Sequence, residues 1–115
     1  MAKSTVLSYQ CEEISEDIGS IVLKEVELSD PGPGEVRVRL KACAVNFPDL
    51  LMIQGKYQFK PPLPFAPGSE AAGDIEACGP ECDFKEGDKV IVNMRSGGFS
   101  EGVVVDQSQV RAIPE

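Results

Sequence analysis

Any chemistry here must come from a restricted set of side chains, because the 115 residues include no histidine. Ser-His-Asp and Cys-His nucleophile systems are therefore excluded, and so is a His-ligated zinc site. Four cysteines remain: Cys11, Cys43, Cys78 and Cys82. Only Cys78 and Cys82 are near neighbours, as Cys-x3-Cys, and two thiolates alone do not complete a tetrahedral zinc shell. We read all four as free thiols in a reducing cytosol, behaving as small buried hydrophobes. A serine without an activating base is no nucleophile, and Ser69 is such a serine. Acids outnumber bases 19 to 11, giving a formal charge of −8 and a pI near 4.5. That argues against a nucleic-acid partner, whose binding needs a concentrated basic face. The charge is uneven along the chain. Between Arg37 and Lys60 there are five bases and one acid, Asp49; between Glu70 and Asp88 there are seven acids and one base, Lys85. This reads either as two solvated faces or as a basic border for an anionic ligand or partner.

The elements that must position these groups are mostly strands. Residues from Ile21 to Leu28 suggest a first clear strand, closed by the turn Asp30-Pro31-Gly32-Pro33-Gly34. From Glu35 to Ala42 the pattern alternates: Val36, Val38, Leu40 and Ala42 on one face, Arg37, Arg39 and Lys41 on the other. That is a half-buried strand with a wet face. One helix follows, capped by Asn46, with Pro48 in its first turn and Gly55 at its C-terminal stop. Phe47, Leu50, Leu51 and Met52 would supply its apolar contacts. Four prolines between positions 61 and 67 then force an extended connection. Ala71 to Ala77 returns to strand, with Gly73 marking a bulge or a close backbone approach. Further strands are expected at Lys89–Val92, Phe99–Val105 and Val110–Ile113. Short strands at regular spacing with Gly/Pro turns indicate a sandwich or barrel, mainly β with one or two short helices. The length fits one domain, residues 1–115. Neither a secretory h-region nor an apolar run of bilayer length is present in the sequence, so no membrane span is expected.

The run Gly68-Ser69-Glu70-Ala71-Ala72-Gly73 through Gly79 resembles the medium-chain alcohol dehydrogenase signature G-H-E-x-x-G-x-x-x-x-x-G at every fixed place but one. Ser69 stands where that family has a zinc-binding His. The block Ala44-Val45-Asn46-Phe47-Pro48-Asp49 resembles its G-I-C-x-[ST]-D block, with Asn46 in place of the zinc-binding Cys. The chain is thus similar to the zinc-free branch of this superfamily, the NADPH:quinone oxidoreductases of the zeta-crystallin type. Asn46-Phe47-Pro48-Asp49, Gln54-Gly55-Lys56-Tyr57, the Pro-rich stretch to Gly68, Gly87-Asp88-Lys89-Val90 and Gly97-Gly98-Phe99-Ser100-Glu101 carry the likeness, which runs from about Ile21 to Pro114.

The resemblance implies a GroES-like, partly open β-barrel, followed in the family by a Rossmann domain. No G-x-G-x-x-G fingerprint occurs in this chain. The expectation is a truncated chain, gene fragment or splice form that lacks the cofactor domain and has no hydride-transfer activity alone. In the intact enzyme the implied cofactor is NADPH, without zinc or any other metal. The implied acceptor is a quinone or enone. A homodimer and a cytoplasmic location, with mitochondria as the alternative, are also implied. Asn46 would be catalytic and cofactor-binding through the nicotinamide ribose, or simply the helix cap. Asp49 would assist cofactor binding by orienting neighbouring donors, or complement the helix dipole. Tyr57 would be catalytic, donating its hydroxyl to the acceptor carbonyl, or would wall the pocket. Ser69 and Glu70 would border the substrate pocket, with Glu70 held near Asn46. The alternative is a non-catalytic GroES-like interaction module; a co-chaperonin rests on fold analogy alone. Cutting away a partner domain would also leave an exposed apolar patch.

Overall fold

Alternating apolar residues in the middle of the chain build the larger of two sheets. In a computed structural model that describes residues 4–17, 19 and 21–114, β1 (Ser4–Gln10) and β2 (Val22–Leu28) form an antiparallel pair. The larger sheet contains β3 (Glu35–Cys43), β4 (Glu70–Cys78), β5 (Lys89–Asn93), β6 (Gly102–Asp106) and β7 (Val110–Ala112). Its strand order is β6-β3-β4-β5-β7, antiparallel throughout. Val36, Val38, Ile75, Val90, Val92 and Val103 point into one core. A second cluster joins Cys11, Met52, Ile53 and Phe65 beneath the helix α1 (Phe47–Ile53).

The alternation of β3 holds only as far as Leu40. The β3–β4 register then skips Lys41, pairing Leu40 with Gly73 and Ala42 with Ala72. A bulge turns the following side chains over. Ala42, expected inward, is exposed, while Cys43 packs against the core. Gly73 is the expected close approach: a Cβ there would collide with the Arg39 carbonyl.

The segment expected as one strand, Phe99–Val105, divides. Only Gly102 onward joins the β6 ladder. Residues 99–101 cross to the small sheet: Tyr9 N–H donates to the Phe99 carbonyl (2.8 Å) and Glu101 N–H to that of Leu7 (2.9 Å). The Glu101 carbonyl in turn accepts from Leu40 N–H at 2.8 Å. These bonds stitch the two sheets together without closing them, which leaves a partly open β architecture.

The outer faces of β3 and β4 do not separate the charges into two faces. Arg37 Nε donates to Glu76 at 2.8 Å, with Asp30 at 3.5 Å, and Arg39 lies 3.5 Å from Glu76. Lys89 and Asp74 approach to 3.9 Å. Adjacent antiparallel strands put the basic stretch against the acidic one. Among the described residues, no helix is long and apolar enough to cross a membrane.

Candidate functional site

Helix α1 supplies one side of the site, and both its ends are fixed by local chemistry. Asn46 is the N-cap in extended conformation, and its carbonyl accepts from Asp49 N–H at 3.0 Å. Asp49 Oδ2 returns a bond to Asn46 N–H at 2.8 Å, the carboxylate half of a capping box. At the other end Gly55 adopts φ 72°, its N–H bonding the Met52 carbonyl (3.2 Å) while Lys56 N–H bonds that of Leu51 (2.8 Å). This is a Schellman stop, in which glycine takes the left-handed position without a Cβ penalty.

Asp49 does more than cap. Its side chain is fully buried, and its second oxygen accepts from Gly68 N–H at 3.2 Å. One carboxylate therefore ties the start of α1 to the strand-leading segment Gly68-Ser69-Glu70. Gly98 N–H holds the Gly68 carbonyl at 3.0 Å, and Met94 N–H holds that of Ser69 at 2.9 Å. The backbone around Ser69 is thus anchored from three elements. The cap itself leaves the Asn46 side chain free, and its amide Nδ2 donates to Glu70 Oε1 at 2.6 Å. The helix-cap reading of Asn46 holds through its backbone, and its side chain reaches across to β4.

Beside this frame lies a cleft of about 590 Å³. Pro48 and Met52 from α1 line one side; Tyr57 and Phe59 from the following loop line another. Ser69 and Met94 complete its boundary, and Lys60 and Arg95 bring charge to it. Of the residues singled out from sequence, Tyr57 and Ser69 line the cleft directly. Asn46 and Glu70 are bonded to each other next to lining residues, and Asp49 is buried behind them. The Tyr57 ring packs on the second core cluster, while its hydroxyl has no hydrogen-bond partner among the described residues.

The sequence reading did not single out Arg95. Its guanidinium lies 5.0 Å from the centre of the Phe59 ring, a cation–π distance. The signal available was its position as the one base between Lys89 and Arg111, directly before Ser96-Gly97-Gly98.

Burial keeps three of the thiols protonated above the ordinary range, which makes them poor nucleophiles. Burial pushes Cys43 up to about 11, helped by the negative charges of Asp49 and Glu70. Cys78 is likewise raised to about 11 by burial and by its contact with Cys82. Burial also raises Cys11. All four are unpaired, and their Sγ atoms settle on nearby groups such as the Phe84 carbonyl, 3.2 Å from Cys78. Among the described residues no group of three Cys, Asp or Glu side chains is placed to hold a metal ion.

Two apolar side chains at the start of α1 face outward. Val45 and Phe47 are 69% and 70% exposed.

Residues 32–115 match the alcohol dehydrogenase GroES-like domain. The human synaptic vesicle membrane protein VAT-1 homolog is 49% identical over 86 residues, covering 74% of this chain and 22% of that protein. Mouse quinone oxidoreductase-like protein 2 is 39% identical over 106 residues, covering 91% of this chain and 29% of the relative. Among solved structures, a quinone oxidoreductase from Pseudomonas syringae pv. tomato superposes with a TM-score of 0.87 at 31% identity, covering 96% of this chain and 34% of that one. The chain thus spans less than a third of the length of these two curated relatives.

Proposed function

Because the chain belongs to the alcohol dehydrogenase GroES-like domain family, we propose that it forms the substrate side of a zinc-independent, NADPH-dependent quinone or enone oxidoreductase. The observation that carries this reading is the cleft walled by Tyr57, with Asn46 held beside it by Glu70 and Asp49. Bound nicotinamide supplies hydride to the acceptor. The residues of this chain orient, polarise and dry the reacting groups. Asn46 would hold the nicotinamide ribose, its amide already oriented by Glu70. The Tyr57 hydroxyl donates to the acceptor carbonyl oxygen as negative charge develops there. Pro48, Met52, Phe59 and Met94 exclude water from that oxygen. Val45 and Phe47 would rest against the cofactor domain, and a reducing cytoplasm would keep the thiols free.

The donor set does not fit a catalytic zinc ion. Zinc favours thiolate and imidazole, whereas Asn46 offers a neutral amide and Ser69 a neutral hydroxyl. The amide is also engaged through its N–H with the Glu70 carboxylate.

Two measurements test the reading. The purified 115-residue chain, mixed with NADPH and a naphthoquinone, should show no turnover. A chimera carrying this chain in place of the matching part of the Pseudomonas enzyme should oxidise NADPH with a quinone or enone. Its activity should resist chelators and fall about 10- to 100-fold in Tyr57→Phe, as expected for loss of one polarising donor. A folded, NADPH-binding chimera that reduces no such acceptor would overturn the proposal.

A further inference from the structure

The cleft is electrostatically at odds with the rest of the chain. The protein carries a formal charge of −8, yet the charged side chains lining the cleft are Lys60 and Arg95, both bases. Neither has a carboxylate within salt-bridge distance among the described residues; Lys41, Lys85 and Arg111 share that property but do not line the cleft. Lys60 Nζ donates to the Tyr57 carbonyl at 3.0 Å, and both residues line the cleft. Arg95 lies over the Phe59 ring. A guanidinium stacked this way loses part of its hydration but keeps its N–H donors free at the edge. A concave surface concentrates the field of the two bases that line it.

We infer that this cleft selects an acceptor that carries an anionic group, an aromatic or conjugated ring bearing a carboxylate or sulfonate. The ring would lie among Tyr57, Met52 and Met94, and its anionic group would meet Arg95, supported by Lys60. The inference rests on the proposed function and deepens it: Tyr57 polarises the reacting carbonyl, and Arg95 sets which acceptors reach it. Arg95 is then a specificity residue. The favoured charge could also be met by a phosphate group, so the test separates the two.

The probes are naphthalene-2-sulfonate and its neutral isostere naphthalene-2-sulfonamide, which are unreactive toward thiols. Joint perturbation of the Met52 and Met94 methyl groups, which share only this cleft, reports on it by NMR. At low salt the sulfonate should bind about tenfold more tightly than the sulfonamide, equivalent to about 1.4 kcal/mol. That preference should shrink as salt rises. Arg95→Gln, on an exposed side chain and checked by circular dichroism for fold, should reduce the preference to below about threefold while leaving sulfonamide binding unchanged. Lys60→Gln should reduce it in part. Equal binding of the two probes at Met52 and Met94 would overturn the inference and leave the cleft as an acceptor site. Displacement of the sulfonate by millimolar inorganic phosphate, with no ring requirement, would assign the bases to phosphate and also overturn it. If neither probe perturbs the two methyl groups, the cleft is not an acceptor site, and the proposed function fails together with the inference.

Discussion

Replacing Asp49 by alanine tests the frame of the site most directly. The carboxylate is fully buried and accepts two backbone bonds, from Asn46 N–H at 2.8 Å and Gly68 N–H at 3.2 Å. Alanine would leave two interior donors unsatisfied. Each such donor costs about 1–3 kcal/mol, so the loss should be about 2–6 kcal/mol. The Asn46 cap alone accounts for about 1 kcal/mol of this. A chain of this size has an m-value in urea of about 1–2 kcal/mol per molar. The unfolding midpoint should therefore fall by about 2 M, a large share of a total stability of about 5–15 kcal/mol. Asp49→Asn keeps the volume but can accept at only one atom, so it should fall by about half as much. Amide exchange gives the local readout: the Gly68 N–H should exchange much faster in the alanine variant under native conditions. A midpoint shift below about 0.3 M at unchanged m would refute the claim that this carboxylate joins helix to strand.

Three further outcomes are expected. Gly73→Ala drives a Cβ into the Arg39 carbonyl, so it should lower the melting temperature by more than about 10 °C or leave the protein insoluble, as read by differential scanning fluorimetry. The thiols Cys43 and Cys78 are held near 11 against an ordinary value of 9.0. The folded chain then retains protons that the unfolded chain loses, so stability should decline as pH rises from about 9 to about 11. Urea midpoints across that range should show the decline, and it should flatten in Cys43→Ala/Cys78→Ala; iodoacetamide should label the native thiols slowly at pH 8. Asn46→Asp places a second carboxylate against Glu70 in place of the 2.6 Å hydrogen bond. It should destabilise by about 1 kcal/mol, with Glu70→Gln recovering most of the loss in a double-mutant cycle.

Local rules were legible in the sequence wherever one residue type had one physical use. Gly55 at a helix stop, Gly73 at a close approach and Asn46 before Pro48 each forced a single geometry. The bulge at Lys41 was not legible, because Val36 to Ala42 alternates without interruption and the slip is set by the partner strand. The fate of Phe99 to Glu101 was equally hidden. Those residues have strand composition, but their bonds go to β1, some 90 positions earlier. Charge was misleading for the same reason: Arg37 and Arg39 look like part of a basic stretch until β4 brings Glu76 beside them. Lys60 and Arg95 lie 35 positions apart, and only the fold places both on one cleft.

The pairing of Asn46 with Glu70 links the sequence departures to the site. A carboxylate only accepts, so the amide must turn its Nδ2 toward Glu70, and the orientation of the amide is fixed without ambiguity. Asp49 holds the same residue by its backbone, so position and orientation are set by different carboxylates. Two carboxylates thus hold Asn46, Asp49 through the backbone N–H and Glu70 through the side-chain amide. At positions 46 and 69 the chain thus offers a neutral amide and a neutral hydroxyl, the amide hydrogen-bonded to Glu70.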